Sequence, residues 1–232
     1  MERDFSSIGL ERTRSAQASV FRQMYIWMSL ALALTGATAL LISGNDRIMY
    51  TILNTPASLW GAIIAELALV FILAASLERM SLGVATLMFI AYSILNGVSM
   101  SLLFMAYTSE SIASTFFVTA GTFGATSLYG YITKKDLSSF GSILLMALVG
   151  LIIASIVNFF MESTMLNWII TYAGVLIFVG LTAYDTQKFK KAIFSSEVTE
   201  HTYKLALMGA LELYLDFVNM FIYLLRILGN RR

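Results

Sequence analysis

Seven long apolar runs leave this chain few ways to fold: Tyr25–Ser43, Leu59–Leu77, Leu82–Ala106, Ser111–Tyr131, Ser138–Phe160, Leu166–Asp185 and Leu205–Leu225. A helix needs about 20 such residues to cross the roughly 30 Å hydrocarbon core of a bilayer. No water is available there to satisfy backbone N–H and C=O groups, so a spanning segment must be a helix or part of a closed barrel. Barrel strands alternate apolar and polar residues. These runs are continuously apolar, which excludes an outer-membrane barrel. The expectation is an all-α polytopic membrane protein with seven transmembrane helices. Only 12% of the 232 residues are charged and 58% are hydrophobic, against about 25% charged in a soluble domain, so most of the surface does not face water. The longest spacers are Gly44–Ser58 and Thr186–Lys204, too short for a separate soluble domain. Residues 1–23 are polar, carry both signs of charge and lack the apolar stretch of a secretory signal. They read as a disordered cytoplasmic tail, and residues 24–232 as a single transmembrane domain.

Lys and Arg set the orientation of such a chain. With the N-terminus inside, the inner segments hold Arg3, Arg12, Arg14, Arg22, Arg79, Lys134, Lys135, Lys188, Lys190, Lys191 and Lys204, leaving Arg47, Arg226, Arg231 and Arg232 outside. Seven spans then place the C-terminus outside, although the terminal Arg pair pulls the other way and one re-entrant run would return it inside. Ala120, Gly121, Gly124 and Ala125 form small-xxx-small pairs, as do Gly97 and Ser101, and these are expected to pack helix on helix. The SLYGY stretch before Lys134 fits an interfacial aromatic belt. The Met residues suit core gap-filling, and the single proline, Pro56, reads as a loop residue. The absence of cysteine rules out disulfides, thiol nucleophiles and zinc–thiolate sites. A net charge of +1 gives no reason to expect a nucleic-acid partner.

Four acids stand inside these runs: Glu66, Asp185, Glu212 and Asp216. A carboxylate at membrane depth costs about 2.5–3.5 kcal/mol on insertion scales and more in simulations, so such residues are rare and usually functional. No Lys or Arg is expected at the depth of any of them in its own helix. Acid-rich, cation-poor sites point to bound cations or shared protons. Glu212, Asp216 and Asn219 are spaced i, i+4 and i+7 and fall on one helix face. A lipid-facing helix would not carry such a face, so the last run is expected at the centre of the bundle. Asp216 lies about 11 residues, roughly 16 Å, beyond the inner end of its run, whereas Asp185 closes its own. Tilt or a helix break would be needed to bring them together. If they meet, they are expected to share one proton and titrate as a unit. Losing that proton would push the helices apart or draw in a cation. Calcium, which takes carboxylate and carbonyl oxygens, fits such a site, with Asp185 and Asp216 as candidate ligands. The competing possibility is a static acid pair that fixes helix packing. Asn96 and Asn158 read as interhelical glue.

Three stretches, AGTFGATSLYGYITKKDLSSFGS, FVGLTAYDTQ and GALELYLDFVNMFIYLLRILGNRR, carry a resemblance that extends along nearly the whole chain. The chain resembles the Bax inhibitor-1 (transmembrane Bax inhibitor motif) family, and within it the bacterial inner-membrane members. The resemblance implies a seven-helix bundle around a central last helix, and a pH-sensitive calcium leak gated by two aspartates. Those fall on Asp185 and Asp216. Asn219 matches the family's Asn after the second Asp, and Glu66 an acid of the second helix seen in some members, so Glu66, Glu212 and Asn219 are candidates for the ion path. In a bacterial member an Arg at the end of the second helix pairs with the first Asp. Here that position is Leu77, with Arg79 two residues on, so the latch is missing from its place. Glu212 is a further departure, adding negative charge where relatives often have a small neutral residue. The resemblance also implies an interaction with a membrane-bound AAA protease. No cofactor is expected; calcium ions and protons are the expected small partners and the bilayer the expected surroundings.

An enzyme is not expected. An intramembrane aspartyl protease would share the Tyr184–Asp185 pair, but its Gly-x-Gly before the second Asp and its Pro-Ala-Leu motif are missing. A serine protease would need a base, and the only histidine, His201, reads as a solvated loop residue. A proton-coupled transporter would suit the acids but should show internal repeats. The remaining alternative is a non-transporting membrane protein that modulates a protease or a stress response.

Overall fold

The computed structural model describes the backbone of residues 2–232 and the side chains of residues 12–52, 54–55 and 60–232. Among the described residues the chain is all-helical: α1 (Glu2–Ser43), α2 (Asp46–Asn54), α3 (Pro56–Ser76), α4 (Leu82–Ala106), α5 (Ser109–Ile132), α6 (Ser138–Met161), α7 (Thr164–Phe194) and α8 (Glu200–Leu228). The only extended pairing described is an isolated bridge between Tyr107 and Arg231. Each of the seven apolar runs lies on a helix of its own. Five helices are long and apolar enough to cross a membrane, on α1, α4, α6, α7 and α8. In α3 the apolar stretch is the shorter Trp60–Ser76, and α5 is diluted by Ser, Thr and Gly.

Two sequence expectations are corrected here, and one spacer proves to hold a helix. From Glu2 onward the polar N-terminal segment belongs to helix α1 and is not an irregular tail. Gln17, Val20 and Phe21 are buried, and the Gln17 amide donates to the carbonyls of Phe194 and Ser196 at 3.2 and 2.8 Å. The Gly44–Ser58 spacer contains the short helix α2, capped by Asn45, whose side chain accepts from the Ile48 N–H at 3.1 Å. Pro56 opens α3 instead of sitting in a loop, which suits a residue whose missing N–H has no partner at a helix start.

The chain forms two compact units: Met1–Ala106 with Lys191–Leu211 and Arg232, and Tyr107–Lys190 with Glu212–Arg231. In the first, α1 and α4 pack closely at Gly97. A Cβ there would come within 2.6 Å of Thr38 Cβ and 2.7 Å of the Thr35 carbonyl. Beside this contact the Thr35 hydroxyl donates to the Ser93 carbonyl at 2.9 Å. In the second, Leu144, Leu151, Ile170, Ile177, Phe178, Leu181 and Met220 form the core. The small residues of α5 do not do what their spacing suggests. Gly121 and Gly124 have open space where a Cβ would stand, so among the described residues no helix closes onto these two positions. Asn158 is no interhelical bridge either. Its side chain caps the end of α6 by accepting from the Ser163 N–H at 3.0 Å.

Burial separates α8 from the other spans. In its apolar stretch 61% of the residues are buried, against 39% or less in the other four. A helix so fully covered can carry acids on one face without exposing them to lipid.

Candidate functional site

The site is built on α7, which runs unbroken past Asp185 to Phe194. Ending the sixth run at Asp185 was wrong, because the apolar stripe continues at helical spacing through Phe189 and Ile193, 2% and 0% exposed. The loop to α8 is therefore only residues 195–199. Neither α7 nor α8 needs a break for Asp185 and Asp216 to approach.

Residues on both sides of Asp185 are fixed one by one. A Cβ on Gly130 of α5 would meet the Ala183 carbonyl oxygen at 2.2 Å, and one on Gly141 of α6 would meet the Tyr184 ring at 2.4 Å. Both glycines thus let neighbouring helices close onto the turn before Asp185. The Thr186 hydroxyl shares a 3.0 Å hydrogen bond with Ser127 of α5. The Gln187 amide accepts from the Leu137 N–H at 2.9 Å and donates to the Lys135 carbonyl at 2.8 Å, tying α7 to the α5–α6 connection. Asp185 itself is left to turn toward α8.

There it meets two acids. The Asp185 side chain lies close enough to those of Asp216 and Glu212 for their charges to act on one another. Both aspartates are buried, and Oδ2 of Asp216 has no hydrogen-bond partner. Phe217, the residue after Asp216, packs between Phe116 and Phe123 of α5 with ring centroids 5.5 and 5.6 Å away, an apolar wall beside the cluster. No Lys or Arg is expected at the depth of these acids in their own helices, yet Lys188, one turn beyond Asp185 on α7, reaches back to them. Its Nζ is 2.6 Å from Glu212 Oε2 and 4.0 Å from Asp185 Oδ1. The extra acid Glu212 is therefore answered by a lysine that sequence reasoning had assigned to a loop.

The other candidates fall elsewhere. Asn219 shares the helix with Asp216, but its amide donates to the Leu215 carbonyl at 2.8 Å and takes no part in the carboxyl cluster. Glu66 belongs to the first unit and accepts from the Ser99 hydroxyl at 2.5 Å. His201 is exposed in the first turn of α8. Among the described residues no group of three or more His, Cys, Asp or Glu is arranged to hold a metal ion. Sequence reasoning missed Lys188, Gln187, Thr186, Ser127, Gly130 and Gly141. Ser127 and Gly130 lie in SLYGY, Thr186, Gln187 and Lys188 in or just after TAYDTQ, and Gly141 at the start of α6; the polar residues after Asp185 were the available signal.

Two carboxyl groups can hydrogen-bond only when one of them holds a proton, because an ionised carboxylate is an acceptor alone. Three acids facing one lysine make a cluster whose charge changes with a single proton. Removal of a proton from such a cluster would leave one more negative charge in a buried site.

Comparison with known proteins places this arrangement in context. Residues 17–232 match the family described as inhibitor of apoptosis-promoting Bax1. The inner membrane protein YbhL of Escherichia coli strain K12 is 47% identical, with 100% of both chains covered. An uncharacterized protein of Borreliella burgdorferi is 44% identical over 88% of this chain and 89% of its own. One of Rickettsia prowazekii is 43% identical over 90% of this chain and 89% of its own.

Proposed function

The chain belongs to the Bax inhibitor family of membrane proteins, and from that membership we propose that it is a pH-sensitive cation leak, with calcium as the ion, gated by Asp185 and Asp216. The observation that carries this reading is the burial of the two aspartates near enough for the charge of each to act on the other. In this reading all seven apolar helices span the bacterial inner membrane, α8 is the central one, and the N-terminus is cytoplasmic. The inner-membrane relative and the multiple apolar helices support that location; the Lys and Arg distribution supports that orientation.

The proton shared by the pair acts as the lock. While it is present, α7 and α8 are joined by a hydrogen bond and the cluster is screened by Lys188. Its loss replaces attraction with repulsion and adds one negative charge, so a cation and the proton compete for the same place. By linkage, each weakens the binding of the other. The leak is therefore expected to rise as pH rises through the titration of the pair, and added calcium should move that transition to lower pH.

Calcium flux into proteoliposomes, measured across pH, tests this. Asp185→Asn and Asp216→Asn each replace the titrating group by an amide that still donates a hydrogen bond, so both variants should lose the pH dependence. Two variants that leak with the wild-type pH profile would remove the gate. Lack of flux in wild type under every condition would favour a non-transporting partner of a membrane-bound protease, with the acids as packing residues.

A further inference from the structure

Glu66 has a setting of its own, apart from the aspartate pair. It is the eleventh of the 21 residues of α3, the midpoint of the helix. Its immediate surroundings on α3 are apolar, and Ile64, Leu67 and Phe71 are exposed at 63%, 52% and 69%, the mark of a helix face turned to lipid. Glu66 itself is only half-buried. On α4, Tyr92, Asn96 and Ser99 are spaced i, i+4 and i+7, so one face of that helix presents polar groups to it. Ser99 donates to Oε1 of Glu66 at 2.5 Å, and Asn96 and Tyr92 lie within reach of its carboxyl.

Among the described residues no cation is paired with this acid. Helix α4 contains no charged residue. Helix α2, which packs on α3, contributes Asp46 and Arg47, and neither is paired with Glu66. Lys204 of α8 is held by Glu200 at 3.2 Å and by the Glu78 carbonyl at 3.5 Å. A half-buried carboxylate at the middle of a membrane helix, with neutral partners alone, is far more costly ionised than neutral. The neutral acid suits its neighbours: the carbonyl oxygen accepts from Ser99, and Asn96 offers both a donor and an acceptor, so it can serve either protonation state.

We propose that Glu66, Ser99 and Asn96 form a second proton-binding site, in which the Glu66 carboxylic acid faces the bilayer interior and exchanges its proton independently of the aspartate pair. The inference rests on α3 being one of the membrane spans. It does not depend on the ion that the protein conducts.

A hydrophobic carbodiimide is the probe for such a group. The acid O–H gives its proton to one nitrogen of the reagent while the carboxyl oxygen adds to the central carbon. Acyl migration to nitrogen then leaves a stable adduct that contains the whole reagent, with nothing expelled. The full-length protein in membranes should gain one reagent mass, mapped to Glu66. The adduct should decline as pH rises, because the reaction consumes the acid's proton. E66Q, an isostere of the neutral acid, should lose the adduct and keep the wild-type elution in detergent. D185N and D216N should keep it, and S99A should change the pH at which labelling declines. A water-soluble carbodiimide should label Glu66 poorly. Absence of an adduct at Glu66 in wild type, equal labelling by both reagents, or an S99A profile identical to wild type would each overturn the proposal. Equal labelling would also remove α3 from the membrane spans. The calcium flux of D185N and D216N is a separate readout, so the failure of either proposal is recognisable alone.

Discussion

Lys188 shows how much one residue changes the reading of the cluster. It is 2.6 Å from Glu212 and 4.0 Å from Asp185, and it is the one cation paired with these acids among the described residues. Its side chain is 41% exposed, so the pair is partly screened and its coupling belongs near the upper end of the range for exposed pairs, about 1 kcal/mol. Lys188→Met should lower the thermal stability of the purified protein, Glu212→Gln should lower it as well, and the double variant should recover most of the loss. A double-mutant cycle with no coupling would show that the short contact contributes nothing. The sequence made the two aspartates legible, because a carboxylate in an apolar run stands out against its cost in lipid. It hid Lys188, because the same polarity made Asp185 look like the end of a helix. The continuing signal was the i, i+4 pair Phe189 and Ile193, set among lysines and easily read as loop.

At the scale of elements, the approach of α5 and α6 to α7 depends on two glycines, and they are not equivalent. A methyl group on Gly130 would meet backbone, the Ala183 carbonyl 2.2 Å away, whereas one on Gly141 would meet a ring edge that can swing. Overpacking of this kind costs about 1–3 kcal/mol where the neighbour can give, and more where it cannot. Gly130→Ala should therefore destabilise more than Gly141→Ala. Gly124→Ala, facing open space, should be neutral or raise stability by up to about 1 kcal/mol through helix propensity. Melting temperatures of the three variants in detergent give the ranking directly, and equal values for Gly130→Ala and Gly124→Ala would disprove the close contact. The pattern of small residues pointed to Gly121 and Gly124 instead. Spacing alone cannot tell which face of a helix meets a neighbour, because that depends on rotation of the helix about its axis. The helices themselves were easy to find, since seven runs of apolar residues have no other way to satisfy their backbone in lipid. The short helix α2 was not, because nine residues of mixed polarity between two long runs look like a spacer.

At the scale of the whole molecule, orientation is carried by charges that touch nothing in common. The inner side of the proposed arrangement collects Lys134, Lys135, Lys188, Lys190, Lys191 and Lys204 around short connections, and short connections are where the positive-inside bias acts. Against this, Arg226, Arg231 and Arg232 lie at the C-terminal end. An even number of spans would satisfy them by returning that end to the cytoplasm. The chain has no cysteine, so single introduced thiols report their side of the membrane without background. With seven spans, D46C and R232C should react with a membrane-impermeant maleimide in cells whose outer membrane is opened, and E197C should react only after the inner membrane is breached. Protection of R232C together with reaction of D46C would mean that one apolar helix does not cross. The first candidates are then α3 and α5, the two whose apolar stretches fall short of the other five. Loss of α3 would leave Glu66 near water, where a carboxylate needs no proton to be stable. The topology measurement and the carbodiimide measurement must therefore agree on α3.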